Sequence, residues 1–174
     1  MTAARHPVAD EYPLAFADYV GRVAAHEDVL EVLISQRDQV VARIRRIPET
    51  RGDYRYAPGK WSIKEVVGHL SDTERVFAYR ALRIGRGDPT PLASFDDDAY
   101  ALEMRAGDRT LAGLGEEWEH VRAATIALFR NLPAAAWSRR GVANDQPISV
   151  RALAYVIAGH VRHHLETLAA RYQV

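Results

Sequence analysis

Three of the seven histidines lie within five positions of one another, in the stretch GHVRHHLETL at residues 159–168. His160 and His164 are four residues apart, so on a helix their side chains would stack one turn apart on one face. Two imidazoles at that spacing can reach one metal ion, with metal–nitrogen bonds of ~2.0–2.1 Å. The alternative is a pair of core histidines satisfied by hydrogen bonds. A shared metal is favoured because burying two polar rings without a partner is costly.

The position of each histidine around the last helix separates His163 from the other two. On a helical wheel at ~100° per residue, His160 and His164 fall in the middle of the apolar face. His163 falls at the edge of that face. The wheel therefore predicts that His160 and His164 can act together and that His163 does not bind the same ion.

A third ligand must come from another helix, and His69 in the stretch VVGHLSDTE is the candidate. It lies on the flank of an apolar helical face, where a bundle helix would meet its neighbour. A histidine on the surface is the alternative interpretation from this helix alone. Asp72 and Glu65 lie three and four residues away, and they could orient the His69 ring by accepting its second N–H.

The absence of cysteine restricts the chemistry of any such site. A metal must be held by histidines and carboxylates, and a thiol nucleophile must come from outside the protein. Asp72, Glu74 and Asp96 are weak candidates for a general base, and the acidic run 96–98 could equally be a solvated loop. The chain has no HExxH pattern, no serine–histidine–acid signature and no glycine-rich phosphate loop.

Arginines near these stretches are candidate anion-binding residues. Arg75, Arg80 and Arg162 could bind an anionic substrate or the carboxylate of a small thiol. The alternative for all three is an ordinary surface or ion-pair role.

Helical periodicity dominates the elements that must position these residues. The pattern predicts long helices at about 27–47, from about 63 to 85, at about 109–131, and after Ser149. Ser62 and Glu65 have the spacing of a capping box. No segment has a convincing strand pattern, and the connection 86–108 is expected to be irregular, with one short helical turn. The predicted fold is therefore all-α, a four-helix bundle with long connections.

Length and composition favour one globular domain over residues 1–174, with a flexible N-terminal segment at residues 1–13. The hydrophobic fraction of 48% and the charged fraction of 26% are ordinary for such a domain. A formal net charge of zero gives no field toward nucleic acid or anionic lipid. With no signal peptide and no apolar run of ~20 residues, we expect a cytoplasmic protein without a membrane partner.

Taken together, these stretches resemble the DinB-like superfamily, metal-binding four-helix bundles that include bacillithiol-transferase-like and mycothiol-dependent proteins. Three segments carry the resemblance: YRYAPGKWSIKEVVGHLSDTERVFAYRALRIGRGD (54–88), SFDDDAY (94–100) and ISVRALAYVIAGHVRHHLETL (148–168). The family's site uses one histidine on the second helix and a His-x-x-x-His pair on the fourth, which match His69, His160 and His164. The resemblance implies a divalent ion such as zinc or nickel, a homodimer and no DNA binding.

The reaction is not fixed by the resemblance. Characterised members conjugate or isomerise substrates with low-molecular-weight thiols, and many others are labelled metal-dependent hydrolases without demonstrated activity. A site of three histidines leaves a coordination position open, which is the catalytic arrangement. We therefore expect a metal-dependent enzyme for a small-molecule substrate, either a thiol-dependent S-transferase with a small thiol as co-substrate or a hydrolase. The alternative is a non-catalytic metal-binding or dimerisation protein.

Overall fold

Helices form most of the protein, as the computed structural model of residues 5–174 shows. They are α1 (Ala17–Gly21), α2 (Val29–Arg46), α3 (Ile63–Gly85), α4 (Asp97–Glu103), α5 (Leu111–Arg130) and α6 (Val150–Thr167). A turn of π-helix, Leu168–Tyr172, extends α6. The four long helices α2, α3, α5 and α6 confirm the predicted bundle. No helix in the described part of the chain is long and apolar enough to cross a membrane.

The long helices do not pack in chain order. Both α2 and α3 pack against α5 and α6, so the order around the bundle is α2, α5, α3, α6. Consecutive helices α2 and α3 therefore stand on a diagonal, which the long connections make possible. The short helix α1 lies against α6. This arrangement brings α3, which carries His69, directly beside α6, which carries the other histidines.

Side-chain caps fix where α3 and α6 begin, as the sequence predicts. The Ser62 hydroxyl accepts a hydrogen bond from the Glu65 N–H, and the Glu65 carboxylate accepts one from the Ser62 N–H. The Ser149 hydroxyl accepts a hydrogen bond from the Ala152 N–H at 3.0 Å. Each cap satisfies N–H groups that have no partner inside the helix.

The connection before α6 contains a β-hairpin, so the expectation of no strand is wrong there. Its strands are β1 (Arg140–Ala143) and β2 (Gln146–Ser149), paired antiparallel. Asn144 and Asp145 form the turn with φ angles of 52° and 56°. Two-residue hairpin turns require positive φ, which asparagine and aspartate tolerate better than most residues. The Asn-Asp pair was the available signal, and the strands are too short for an alternating pattern to stand out.

The connection 86–108 holds more structure than one helical turn, because α4 is followed by a short 3-10 turn, Ala106–Asp108. Asp96 caps α4 by accepting a hydrogen bond from the Ala99 N–H. The connection is attached to the hairpin where the Leu92 N–H donates to the Val142 carbonyl at 2.9 Å. Its far end packs on α3, where a Cβ at Gly68 would collide with Met104. The connection therefore runs along α3, from the hairpin near Ile84 to Gly68 in the N-terminal half of the helix.

A buried ion-pair cluster, made of Glu74, Arg122 and Gln36, joins the long helices. The fully buried Arg122 donates from Nε and Nη2 to the two carboxylate oxygens of Glu74, each at 2.7 Å. Its Nη1 donates to Gln36 Oε1 at 2.8 Å, and Gln36 in turn donates to the Ala158 carbonyl. The guanidinium also lies 4.9 Å from the centre of the Trp118 ring. Every long helix is tied into this cluster.

Residues 5–13 of the predicted flexible segment contact the bundle, whereas residues 1–4 lie outside the described residues. The carboxylate of Glu11 is buried and accepts hydrogen bonds from Arg151 Nε at 2.8 and 2.7 Å. The His6 ring lies edge-on to Tyr155, with 4.8 Å between ring centres. The flexibility of this segment stays a prediction.

Candidate metal centre

Three buried imidazoles converge where α3 meets α6. His69, His160 and His164, the histidine cluster, are 5%, 5% and 8% exposed. Nε2 of His160 lies 3.0 Å from Nε2 of His69 and 3.0 Å from Nε2 of His164. One nitrogen from each ring therefore points to a common position. Among the residues that the structure describes, these three histidines are the ones whose possible ligand atoms lie close enough together to hold a metal ion.

The spacing of these nitrogens fits ligands of one ion. With metal–nitrogen bonds of ~2.0–2.1 Å, two ligand nitrogens lie ~2.9 Å apart at a right angle and ~3.3 Å apart at the tetrahedral angle. Hydrogen bonds between the rings explain this arrangement of nitrogens poorly. A neutral imidazole nitrogen offers either one proton or one lone pair, so Nε2 of His160 cannot pair well with both neighbours. A cation among the three nitrogens would bind all three lone pairs.

Burial keeps the histidine cluster in the form that a metal needs. Loss of hydration lowers the pKa of His69 to about 4. Burial also lowers the pKa of His160 and of His164 well below the usual histidine range, and the neighbouring histidines lower them further. All three rings are therefore neutral near pH 7, and neutral imidazole is the ligand form of histidine.

The second nitrogen of His69 has a partner that the sequence reasoning missed. The Thr73 hydroxyl lies 3.3 Å from His69 Nδ1, one helical turn further along α3. Asp72 and Glu65, which could have oriented His69, form no hydrogen bond to its ring in the described structure, and each pairs with an arginine. Asp72 pairs with Arg75 at 3.2 Å, and Glu65 accepts a hydrogen bond from Arg55 at 2.8 Å. The spacing of Thr73, four residues after His69, was the signal in the sequence.

Aromatic side chains enclose the histidine cluster. The Trp61 ring lies 4.5 Å from the His69 ring, and the Tyr19 ring lies edge-on to His160 with 5.4 Å between ring centres. Trp61 is held by a hydrogen bond from its Nε1 to Asp98 at 3.0 Å. Tyr19 can approach because residue 159 is glycine, where any Cβ would overlap the Tyr19 backbone. Neither aromatic residue was predicted from the sequence.

A pocket of about 310 Å³ opens on the histidine cluster. The residues that line it come from the 86–108 connection, from α1, α3 and α6, from the segments just before α1 and α3, and from the hairpin turn. They are Phe16, Tyr19, Trp61, His69, Thr73, Phe77, Arg80, Ser94, Phe95, Asp97, Asn144, His160, His163 and His164. The volume lies at the lower end of the ~300–1,000 Å³ typical of small-molecule sites. An accessible pocket beside the three nitrogens favours an enzyme over a closed structural site.

Comparison with known proteins assigns this architecture to a family. The sequence model of the DinB superfamily matches residues 32–168. The chain belongs to the DinB superfamily. Comparison with curated protein sequences gives no match.

Several solved structures share the fold at low sequence identity. YfiT from Bacillus subtilis, described as a probable metal-dependent hydrolase with an unusual four-helix bundle topology, is 17% identical with a TM-score of 0.75, covering 99% of both chains. A mycothiol-dependent maleylpyruvate isomerase is 13% identical with a TM-score of 0.66, covering 79% of this chain and 58% of its own. A DinB-like protein from Bacillus subtilis is 20% identical with a TM-score of 0.58, covering 82% of this chain and 87% of its own.

His163 occupies the edge of the site in this DinB-superfamily chain. Its ring lines the pocket and lies edge-on to Tyr19 at 5.6 Å and to His164 at 5.0 Å between ring centres. It is not one of the three histidines whose nitrogens converge in the described chain.

The three candidate bases are engaged elsewhere. Asp72 pairs with Arg75, Glu74 with Arg122, and Asp96 caps α4. Asp97, from the same acidic run as Asp96, is the carboxylate that lines the pocket.

Proposed function

We propose that this protein is a metal-dependent enzyme in which His69, His160 and His164 bind one divalent ion through their Nε2 atoms. The observation that carries the proposal is the convergence of three buried, neutral imidazoles beside an accessible pocket. Nitrogen donors of this kind suit zinc or nickel. Such an ion would polarise a substrate oxygen and lower the pKa of bound water toward ~7.

The residues around the ion have separable roles in this proposal. The Thr73 hydroxyl can accept the Nδ1 proton of His69 and so keep Nε2 free as a ligand. The Trp61 and Tyr19 rings cover part of the histidine cluster and reduce its contact with bulk water. Electrostatic interactions inside the pocket are stronger for that reason. The exposed Asp97 carboxylate at the pocket can accept a proton from a bound nucleophile.

Hydrolysis of a small-molecule substrate is the reaction that we propose first. The support is the likeness to YfiT along 99% of both chains, together with the described hydrolase character of that protein. The second candidate is thiol-dependent group transfer, which the likeness to the mycothiol-dependent isomerase favours. The chain has no cysteine, so in that case the thiol would be a second small molecule in the pocket.

Metal content is the first test of the proposal. Protein purified without an affinity tag is expected to contain about one divalent ion per chain. His160→Ala should abolish this metal binding, because one of the three ligands is lost. His163→Ala is the matched control from the same helix and should retain the metal. Metal that survives His160→Ala, or that is lost in His163→Ala, would show that the ligands are assigned wrongly.

The two reactions can be separated with cobalt-substituted protein. A small thiol that serves as co-substrate should produce a sulfur-to-cobalt charge-transfer band, and the lack of cysteine removes internal thiolates as a source. Bacillithiol, mycothiol and glutathione are the thiols to compare. Turnover of esters or amides without such a band supports the hydrolase. Metal binding with neither result would support the non-catalytic alternative.

The assembly and the location of the protein remain proposals of the same kind. The homodimer follows from the family resemblance, as does the absence of a nucleic-acid partner, with which the zero net charge agrees. The cytoplasmic location is a prediction from the sequence.

A further inference from the structure

Arg80 is buried in the wall of the pocket with most of its hydrogen-bonding capacity unused. Its side chain is only 4% exposed. Nη2 donates one hydrogen bond to the Ala93 carbonyl at 2.8 Å, while Nε is buried without a partner in the described structure. The guanidinium carbon lies 5.4 Å from the centre of the Phe77 ring and 5.7 Å from that of Phe95.

No carboxylate balances this charge. Of the three arginines that the sequence suggested for anion binding, Arg75 pairs with Asp72 and Glu117, and Arg162 pairs with Glu27. Across residues 5–174, no carboxylate oxygen lies within ion-pair distance of Arg80. Burial without a counter-charge accordingly lowers the pKa of Arg80. A buried charge is costly unless it is paired, so an unpaired arginine in a pocket wall indicates a missing anion.

Arg80 and His69 face the same pocket from one helix, α3. Arg80 follows His69 by eleven residues, which is close to three full turns of α3, or ~16 Å along the axis. Side chains on a helix lean toward its N-terminus, so the guanidinium is displaced toward His69. It lies beside the ring of Phe77, whose backbone is ~12 Å from that of His69. A molecule that reached both ends of the pocket would therefore span roughly 10 Å.

We propose that Arg80 binds the carboxylate of the substrate, so that the enzyme acts on small carboxylic acids whose reacting group lies roughly 10 Å from the carboxylate. The inference rests on the proposed metal-dependent function. A planar guanidinium matches the two oxygens of a carboxylate. One guanidinium neutralises one charge, which fits a carboxylate better than a dianionic phosphate. The Phe77 and Phe95 rings would contact the apolar part of the same molecule.

The test measures how tightly cobalt-loaded protein binds ω-mercaptoalkanoates of increasing chain length. Their sulfur reports binding through the charge-transfer band, and each acid is compared with its uncharged carboxamide. In the wild-type protein, the acid should bind about tenfold or more tightly than the amide at the chain length that spans the pocket. Simple chelation by the carboxylate would instead favour the shortest acid. Equal binding of acid and amide at every length would overturn the proposal.

Variants assign the preference to Arg80. Arg80→Met should bring the acid-to-amide ratio close to one, whereas Arg80→Lys should keep part of it, because lysine retains the charge but not the planar fork. Arg75→Met is the matched control on the outer side of the same helix and should keep the wild-type ratio. A preference that survives Arg80→Met would contradict the proposal. The comparison of acid and amide in wild-type protein remains decisive even if Arg80→Met fails to fold.

A metal-free arm separates this proposal from the proposed function. In metal-free protein, hexanoate should raise the melting temperature more than hexanamide does, and Arg80→Met should remove the difference. Failure of every thiol to give a cobalt band, with the hexanoate effect intact, would count against the metal site and leave the Arg80 assignment standing. A cobalt band without any preference for the acid would count against Arg80 alone.

Discussion

Two groups of buried polar side chains meet at α3. They differ in whether the protein itself supplies partners for their charges and hydrogen-bonding atoms. Glu74 belongs to the buried ion-pair cluster, in which every charge has a partner: Arg122 binds both carboxylate oxygens, Gln36 and a backbone carbonyl. On the pocket side, three imidazole nitrogens converge on one position, and Arg80 has no counter-charge. The first group is complete within the protein. The second would be completed by the proposed ligands, a divalent ion and a substrate carboxylate.

The physical reason for this difference is the high cost of unsatisfied polar groups in a low-dielectric interior. A fully paired network makes the packing of its helices specific and rigid. An unpaired one destabilises the folded state unless something binds to it, and native proteins keep few such groups. We therefore infer that the ion-pair cluster stabilises the packing of the bundle and that the pocket groups form the proposed binding site.

The largest expected effect is on stability, from the ion-pair cluster. Glu74→Gln removes the charge that pairs with the fully buried Arg122, and breaking a buried pair on one side costs about 3–5 kcal/mol. The free energy of unfolding, measured with urea on metal-free protein, should fall by that amount. Metal bound per folded chain should not change, since Glu74 lies outside the pocket.

The exposed Glu116→Gln on α5 is the matched control for that experiment, and its unfolding free energy should stay close to the wild-type value. A loss below about 1 kcal/mol in Glu74→Gln would mean that the cluster is not the support described above.

A smaller effect is expected on the ligand side, from the hydroxyl beside His69. Thr73→Val keeps the shape of the side chain but removes the group that lies 3.3 Å from His69 Nδ1. Loss of such a partner typically costs about 10–100-fold in metal affinity, because it no longer fixes the proton and orientation of the ring. Competition with a chromophoric chelator measures the change. Thr73→Ser retains the hydroxyl and should bind nearly as tightly as wild type, and an unaltered affinity in Thr73→Val would contradict the role of Thr73.

Local features of this protein could be predicted from the sequence, whereas features that depend on helix neighbours could not. The His160–His164 spacing and the caps at Ser62 and Ser149 are local patterns, and the structure places them as expected. The sequence did not show which carboxylates pair with arginines. Asp72 and Glu65 were candidates to orient His69, but they pair with Arg75 and Arg55. The lack of an ion pair at Arg80 could not be predicted for the same reason, because it depends on all the residues that pack around this side chain.

The wheel placed His69 on a flank, but the neighbour across that flank depends on a bundle order that chain order does not reveal. Consecutive long helices lie on a diagonal here, and α3 meets α6 instead of α2. The family resemblance supplied this pairing where residue spacing could not. For the hairpin, the strands of four residues each were too short to detect by alternation.

The smallest predicted effect concerns the partly exposed ion pair between Glu27 and Arg162. Comparing it with the buried Glu74–Arg122 pair tests how much burial contributes to the stability that an ion pair provides. Glu27 accepts hydrogen bonds from Arg162 at 2.8 and 2.6 Å and from the Ala24 N–H at 2.7 Å. The Arg162 hydrogen bonds are the main reason that the pKa of Glu27 is lowered from about 4.5 to about 2. Its side chain is 26% exposed, so solvent screening should limit the contribution to about 1 kcal/mol or less.

The sign of the pH dependence follows from that lowered pKa. Between about pH 4.5 and about pH 2, the unfolded chain binds a proton at Glu27 before the folded chain does, so the stabilisation present at neutral pH is lost as the pH falls. Glu27→Gln should therefore be slightly less stable than wild type near neutral pH and nearly equal to it near pH 2, as measured by urea unfolding across that range. A difference that stays constant with pH would arise from geometry and not from charge. A difference as large as that of Glu74→Gln would mean that burial is not what distinguishes the supporting cluster.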